Sequence, residues 1–360
     1  MNKERNINTE KANIQTDEFS CPNCDGALEF TPDKQLLCCK YCGFEMPIDG
    51  QISDKEHDFL INIEEKNTWD LESKVIHCDN CGANTVIDNS EISFCCPFCG
   101  SNSVVETNEI SGIKPHRVVP FKISNEISID NYSKWIKKKF FVPKKVKKNL
   151  PSLKLRGVYL PVWTFDTNTF SLYNGRLGKR YTTTVGNGKK KRTVTKIRYF
   201  NISGDQILKF DDFIVNASSN FSQDEINQIS PFNTNDSYLY EKSYLVGFSA
   251  EHYTISLNAS WQNSKLLMKK QIERKILSRY SYDVVSYLNV STTYNDIKYK
   301  YVLIPIWIGT YSYNNKNFRF ISNGETGKSS GKYPISPFRV ALIIFIAIIL
   351  FVLLLILFNS

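Results

Sequence analysis

The chain has 360 residues, of which 42% are apolar and 22% charged, a balance that suits two or three globular domains and excludes an intrinsically disordered protein. The net charge of +9 is unevenly distributed. Residues 1–110 hold only 8 of the 45 Lys and Arg residues but 21 of the 36 Asp and Glu residues, so an acidic head precedes a strongly basic body. The first twenty residues lack the apolar stretch of a signal peptide, which disfavours a secreted disulfide-bonded protein.

The head contains all ten cysteines, which follow a polar tail over residues 1–18. Eight of them form two sets with the same spacing, C-x2-C-x14-C-x2-C, and an offset of 57 residues relates one set to the other. This repeat indicates an internal duplication. The first set is Cys21, Cys24, Cys39 and Cys42, and the second is Cys78, Cys81, Cys96 and Cys99.

Two CxxC turns that direct four thiolates at one ion are typical of a tetrahedral zinc site. We therefore predict two tandem four-cysteine zinc ribbons, over residues 19–48 and 75–106, with one structural zinc ion in each. Disulfide-stapled domains and redox motifs are the alternatives. Cys38 and Cys95 are either buried spares or exchange with their neighbours as ligands, and the spacing favours Cys39 and Cys96. An acidic linker over residues 49–74, expected to be helical, joins the two ribbons.

Residues 111–330 are expected to form a basic, β-rich body of mixed α/β structure, which makes the fold class α+β. Apolar periodicity predicts a helix near residues 130–141. A capping box that begins at Ser222 predicts a short helix over 222–229, and a longer helix is expected over 260–280. Alternating β-branched and aromatic residues predict strands over 181–185, 193–199, 284–290 and 298–313. Segments 159–163 and 303–307 resemble each other, which indicates either a second duplication or two similar edge strands.

We find no catalytic constellation in the body. Residues 322–329 resemble a phosphate-binding loop but have Ser322 where that motif requires glycine, so they are interpreted as a turn. The four histidines neighbour no recognisable catalytic motif. No catalytic residue and no enzymatic activity are therefore expected.

Basic clusters in the body suit an anionic partner. Lys189, Lys190, Lys191 and Arg192 lie between two predicted strands and form a predicted hairpin tip that binds an anionic surface. A simply solvated tip is the alternative, and lipid and nucleic acid compete as the ligand. A second run of seven lysines flanks the first predicted helix: Lys137, Lys138, Lys139, Lys144, Lys145, Lys147 and Lys148.

The last segment of the chain has the composition of a membrane span. Residues 340–358 carry no polar or charged side chain, and as a helix they match the hydrocarbon thickness of a bilayer. Lys328, Lys332 and Arg339 lie before the span, within or beside a juxtamembrane segment at 331–339. The positive-inside rule then places the bulk of the chain in the cytoplasm. We expect a single-pass cell-membrane protein anchored by its C-terminal tail.

Several body segments resemble a family of bacterial membrane-anchored zinc-ribbon proteins, which are described as transcription-factor-IIB-type zinc ribbon proteins or as primosomal, replication-restart-helicase-like or phage replisome organiser proteins. The resemblance extends from Cys21 to the span, with Glu325 where the family usually has Gln. The resembling segments are GVYLPVWTFD at 157–166, YFNISG at 199–204, FDDFIVNAS at 210–218, YLVGFSAE at 244–251 and ISNGETG at 321–327.

The resemblance implies a membrane scaffold, because some similar proteins are encoded beside phage-shock-protein-A-like and flotillin-like partners and help to recruit them to the membrane. The expected function is therefore a non-enzymatic, tail-anchored adaptor of an envelope-stress type. The alternative is a membrane-tethered nucleic-acid-binding protein linked to DNA replication. The acidic charge around the ribbons disfavours nucleic acid there.

Overall fold

The computed structural model describes residues 19–53, 55–59, 73–88, 96, 98, 104–107, 112–148, 155–187, 191–314 and 316–359. Its strands in chain order are β1 Leu28–Thr31, β2 Leu36–Cys39, β3 Glu45–Pro47, β4 His57–Asp58, β5 Ser73–Cys78, β6 Asn84–Asp88, β7 Val104–Thr107, β8 Arg117–Val118, β9 Leu155–Val185, β10 Arg192–Asn216, β11 Tyr238–Leu239, β12 Ser249–Glu251, β13 Val284–Tyr313, β14 Lys316–Asn323 and β15 Ser329–Gly331. The helices are α1 Asn125–Lys137, α2 Lys144–Lys148, α3 Gln223–Ile229, α4 Leu257–Leu277 and α5 Pro337–Asn359, with a short 3-10 helix at Lys242–Leu245.

The expected mixed α+β architecture with a sheet-rich body is confirmed. Strands β1, β2 and β3 form a separate three-stranded antiparallel sheet in the head. The other described strands join one large sheet, in which β5, β6 and β7 of the second cysteine unit reach the body through pairing of β6 with β12. The helices differ slightly from expectation, because Ser124 and Ser256 cap α1 and α4 several residues before the predicted starts. The Ser222 capping box opens α3 as predicted.

Two very long strands, β9 and β13, form the centre of the molecule. They pair antiparallel from Leu155 opposite Gly309 to Gly178 opposite Val284. Each long strand also pairs with one short parallel strand and one antiparallel strand. The parallel strand, which is β12 for β9 and β8 for β13, borders the start of the resembling segment. The antiparallel strand, which is β10 for β9 and β14 for β13, borders its continuation.

The two prolines of the resembling segments lie where these neighbours change. Pro161 separates Tyr159, which is next to β12, from Val162, which is next to β10. Pro305 likewise lies between residues bordered by β8 and by β14. A proline cannot donate to a ladder, and at such a junction no donor is needed. Of the two alternatives for these segments, that of two edge strands is therefore wrong: both strands are central and are paired on both sides.

At one end of the body, β10, β9 and β13 continue as a three-stranded extension of the sheet, and α4 covers one face of this extension. Met268, Ile272 and Ile276 of α4 are fully buried, as is Leu177 of β9. β13 pairs with β9 no further than Gly178, whereas the β9–β10 hairpin goes on to the turn between Val185 and Arg192. Residues 179–187 and 191–199, called here the arm, are largely exposed on both faces.

The described part of the acidic linker is not helical. Residues 49–53 and 55–59 are extended; β4 pairs with β13, and Phe59 is buried in the core. Tertiary pairing with the body overrides the local helical preference. Residues 60–72 of this linker lie outside the described part.

At the other end of the chain, α5 is long and apolar enough to cross a membrane, and none of it is buried against the described chain. It begins at Pro337, slightly before the predicted start at residue 340.

Candidate metal centres

The first cysteine set forms one compact cluster. The sulfur atoms of Cys21, Cys24, Cys39 and Cys42 all lie within 4.8 Å of one another. Cys21 Sγ is 3.4 Å from Cys42 Sγ, and Cys24 Sγ is 3.5 Å from Cys39 Sγ. A disulfide would require about 2.05 Å, whereas four sulfurs around zinc at about 2.3 Å each are about 3.8 Å apart. The sulfur spacing and the thiolate donor set therefore fit a tetrahedral metal ion.

The three CxxC turns that the structure describes are backbone knuckles with the same hydrogen bond. In each, the N–H of the first cysteine donates to the carbonyl five residues later, in the pairs Cys21 to Gly26, Cys39 to Phe44 and Cys78 to Ala83. The residue four positions after that cysteine has a positive φ: 55° at Asp25 and 75° at both Gly43 and Gly82. This left-handed turn directs both sulfurs inward, and glycine adopts it without strain. Gly100, which has the equivalent position after Cys96, lies outside the described residues.

The knuckle favours the thiolate form at one of the four ligands. The backbone N–H of Cys42 is the main cause that lowers the pKa of Cys39 to about 6, opposed by burial and assisted by the N–H of Tyr41. At Cys24 and Cys42, hydrogen bonds with the neighbouring thiols outweigh a backbone hydrogen bond and raise the pKa. A thiolate is the form that binds metal. Cys39 belongs to this cluster and Cys38 does not.

The second set is partly described and has the same character. Cys78, Cys81 and Cys96 come together with their sulfurs within 4.8 Å, and Cys81 Sγ is 3.5 Å from Cys96 Sγ. Cys95 and Cys99 lie outside the described residues. His77, an alternative donor, contacts the side-chain oxygen of Asn84 through Nδ1 at 2.7 Å. Both clusters can hold a metal ion.

Both cysteine units pack on the body. Phe30 of β1 donates its N–H to Val246 and contacts the Tyr244 ring edge-on, with 5.6 Å between ring centroids. In the second unit the Arg156 guanidinium donates to the Cys96 carbonyl at 2.6 Å, and Phe98 packs against Phe221. The described parts of both cysteine units therefore contact the body directly.

A third group of possible metal ligands consists of acidic residues and was not predicted. It lies where the three-stranded extension of β10, β9 and β13 begins. Glu56, Asp166 and Asp212 have their carboxylates within 4.8 Å of one another. The Lys300 ammonium is 2.6 Å from Asp212 and 3.4 Å from Glu56, and only 4% of Lys300 is exposed. The Lys298 ammonium is 3.5 Å from Glu56 as well, so two ammoniums face the three carboxylates and the group forms an ion-pair network.

Two strand irregularities bring this network together. The β9–β10 register shifts between Phe210 and Phe213, and the β9–β13 register shifts between Asn295 and Lys298. Asp212 has a φ of 45° and donates its N–H to Asp166. A lysine within the largely apolar β13 segment was the sequence feature that could have indicated this network. Its three acidic neighbours are too far apart in the sequence to be grouped with it.

Two of the four histidines, His57 and His116, lie together in the body. The rings of His57 and His116 stack with centroids 3.9 Å apart. His116 Nδ1 accepts the Tyr301 N–H, and burial lowers the pKa of His116 to about 3, so this ring is neutral.

The arm carries the predicted anionic-surface residues. Lys191 and Arg192 are exposed, and Lys189 and Lys190 lie outside the described residues. Sequence reasoning missed the aromatic residues beside them. The Arg176 guanidinium lies 4.9 Å from the Tyr199 ring centroid, and that of Arg198 lies 5.3 Å from the Tyr181 ring centroid.

Comparison with known proteins finds a distant relative. The chain is similar to YdjG of Bacillus subtilis (strain 168), an uncharacterized protein, with 26% identity over 324 residues that cover 90% of this chain and 92% of that protein. No protein-family model matches the chain. No solved structure matches it either.

Proposed function

We propose that this protein is a non-enzymatic adaptor, anchored in the cytoplasmic membrane by α5, that recruits partner proteins through its arm. The exposed arm is the observation that carries this proposal. A two-stranded hairpin with both faces in water is only marginally stable, and this one also exposes Tyr181, Val185, Ile197 and Tyr199. Such a projection gains stability when a partner covers it.

The two cysteine clusters serve this adaptor as structural zinc sites. Each set has the cysteine spacing of a closed zinc site, in which thiolates occupy all four coordination positions and leave none for a substrate. Because short strands around a cluster bury little apolar surface, the metal supplies much of the folding free energy of each unit. The resemblance to membrane-anchored zinc-ribbon proteins supports phage-shock-protein-A-like or flotillin-like partners, with the bulk of the chain in the cytoplasm.

Nucleic acid is the second candidate ligand of the arm, as for a membrane-tethered protein linked to DNA replication. The two Arg–Tyr pairs favour it, because basic residues interleaved with exposed aromatic rings suit single strands. The acidic head, whose side chains repel phosphate, opposes it.

Photo-crosslinking in cells separates these candidates. A benzoylphenylalanine probe at Tyr199 of the full chain should give a discrete adduct that survives nuclease and is destroyed by protease. The same probe at Leu266, exposed on α4, is the matched control and should give little adduct. A nuclease-sensitive adduct at Tyr199 would favour nucleic acid, and equal labelling at both positions would contradict a binding role for the arm.

A further inference from the structure

We propose that residues 137–148 form a docking surface for the anionic phospholipid headgroups around α5. This segment, called here the basic platform, comprises the end of α1, the turn after it and α2. The proposal rests on the membrane anchoring by α5 proposed above and adds a lipid class and a binding surface to it.

The basic platform lies at the base of α5 although about 190 residues separate the two in sequence. Ser336, just before α5, donates its N–H to the Phe141 carbonyl at 2.8 Å. Arg339, in the first turn of α5, donates to the Phe140 carbonyl, and its guanidinium lies 5.5 Å from the Phe140 ring centroid. If α5 enters a bilayer, the basic platform therefore meets the headgroup layer at the same point.

The charge of the basic platform suits an anionic bilayer. Its sequence, KKKFFVPKKVKK, has seven lysines and no acidic residue. None of the seven forms an ion pair with a carboxylate in the described part of the chain, and five are exposed. The buried Val142 and Val146 fix the segment to the body. The lysines are thus held on a packed segment with their charges available, and each such residue near an anionic surface strengthens binding about fivefold.

Exposed apolar and aromatic residues accompany these charges. Phe140 is 55% exposed, Phe338 is 76% exposed and Ile335 is 60% exposed. Nearby, the Trp135 and Tyr333 rings lie 5.8 Å apart. Lys139 Nζ lies 4.6 Å from the Trp135 centroid and 6.0 Å from the Tyr333 centroid. Aromatic rings and lysine ammoniums are the groups that concentrate at the membrane–water interface.

The arm does not lie at the base of α5. β9 starts at Leu155, beside α1, and ends at Val185 in the arm, after 31 residues. At ~3.3 Å per residue this is about 100 Å of strand. The arm tip and the basic platform thus lie at opposite ends of β9, and the platform is the basic surface next to the anchor.

Hydrogen–deuterium exchange of the full chain in nanodiscs tests the inference. The chain is incorporated into discs of phosphatidylcholine alone or with 30% phosphatidylglycerol, at physiological ionic strength, where the Debye length is about 8 Å. Amides of residues 137–148 should exchange at least about threefold more slowly in the anionic discs. Residues 191–199 of the arm should exchange equally in both, and neither glycerol phosphate nor duplex DNA added to neutral discs should reproduce the protection.

Charge-reversed variants supply the matched comparison. The platform variant combines Lys144→Glu, Lys145→Glu and Lys148→Glu, and the control variant combines Lys191→Glu, Arg192→Glu and Lys196→Glu. All six residues are exposed, and unchanged metal content and near-UV circular dichroism verify folding. The platform variant should lose the lipid-dependent protection and the control should keep it.

Three results would overturn the inference. The first is equal exchange of the platform in both lipids, and the second is protection by DNA but not by phosphatidylglycerol. In both of these outcomes the chain is incorporated into the discs, so the proposed anchoring by α5 is not contradicted. A chain that elutes free of lipid would instead overturn the anchoring and the docking surface together.

Discussion

Trp163 and Trp307 make the same hydrogen bond in two halves of the body. The indole N–H of Trp163 donates to the Ile255 carbonyl at 3.0 Å, and that of Trp307 donates to the Ile123 carbonyl at 2.8 Å. Each isoleucine directly precedes the serine that caps a helix, Ser256 for α4 and Ser124 for α1.

The surrounding backbone repeats the match. Ala217 donates its N–H to Pro161 and accepts from the N–H groups of Thr254 and Ile255. Gly324 does the same with Pro305, Lys122 and Ile123. The body is thus built of two equivalent units in the order short strand, helix, long strand and antiparallel strand. Each long strand binds the capping loop of the other unit, so the units are exchanged.

The first prediction is that the two tryptophans contribute equally to stability. Trp163→Phe and Trp307→Phe each remove one indole N–H and leave a part-buried carbonyl without this donor, which costs about 1 to 2 kcal/mol. Thermal unfolding of the full chain in detergent micelles, followed by near-UV circular dichroism, should show similar losses. Trp135→Phe, at a half-buried ring, is the control and should change stability less. A several-fold difference between the first two variants would argue against equivalent units.

The sequence predicted the local features of this fold better than its pairing. The knuckle spacing matches the first cluster, which contains Cys39 and not Cys38, and alternation located parts of the three longest strands, β9, β10 and β13. The similarity of segments 159–163 and 303–307 was visible, but the exchange was not, because long-range pairing leaves no local pattern. The Lys300 network was missed for the same reason, because its members meet only after the strands pair. The lysines of the basic platform were recognised as a cluster, but their contact with the start of α5 was not.

The second prediction concerns metal content and uses two adjacent cysteines. The full chain should contain two zinc ions, and Cys39→Ser should lower the content to one because it removes a ligand of the first cluster. Cys38→Ser should retain both ions, since Cys38 is not in the cluster. Elemental analysis of the purified chain measures this. Loss of zinc from the Cys38 variant, or full zinc in the Cys39 variant, would contradict the assignment.

The third prediction is a pH dependence at Asp166. Burial is the main cause that raises the pKa of Asp166 to about 7, and a hydrogen bond with Glu56 adds to it. The folded chain therefore binds this proton more tightly than the unfolded chain, and its stabilising contribution disappears as the pH rises from about 4 through about 7. Asp166→Asn mimics the protonated form, so it should match the parent near pH 4 and exceed its stability at pH 8 by about 1 to 2 kcal/mol, after allowance for solvent screening.

Thermal unfolding at a series of pH values tests this difference. Asp211→Asn is the control because Asp211 is exposed and pairs with Lys209 at 3.3 Å. The Asp211 variant should change the thermal stability only slightly across the series. An Asp166 variant less stable than the parent at pH 8 would mean that the ionised carboxylate is held by Lys300 and is needed there.

The last prediction is that α5 tolerates charge at its end but not at its centre. Arginine in the middle of a membrane span costs about 2.5 to 3.5 kcal/mol, and the penalty falls towards the interface. Ile348→Arg should therefore move much of the full chain from the carbonate-resistant membrane fraction to the soluble or degraded fractions. Phe338→Arg, next to Arg339 and the basic platform, should leave it in the membrane. Because both side chains are exposed in the described chain, packing predicts no difference between them. Equal behaviour of the two variants would therefore contradict a membrane span.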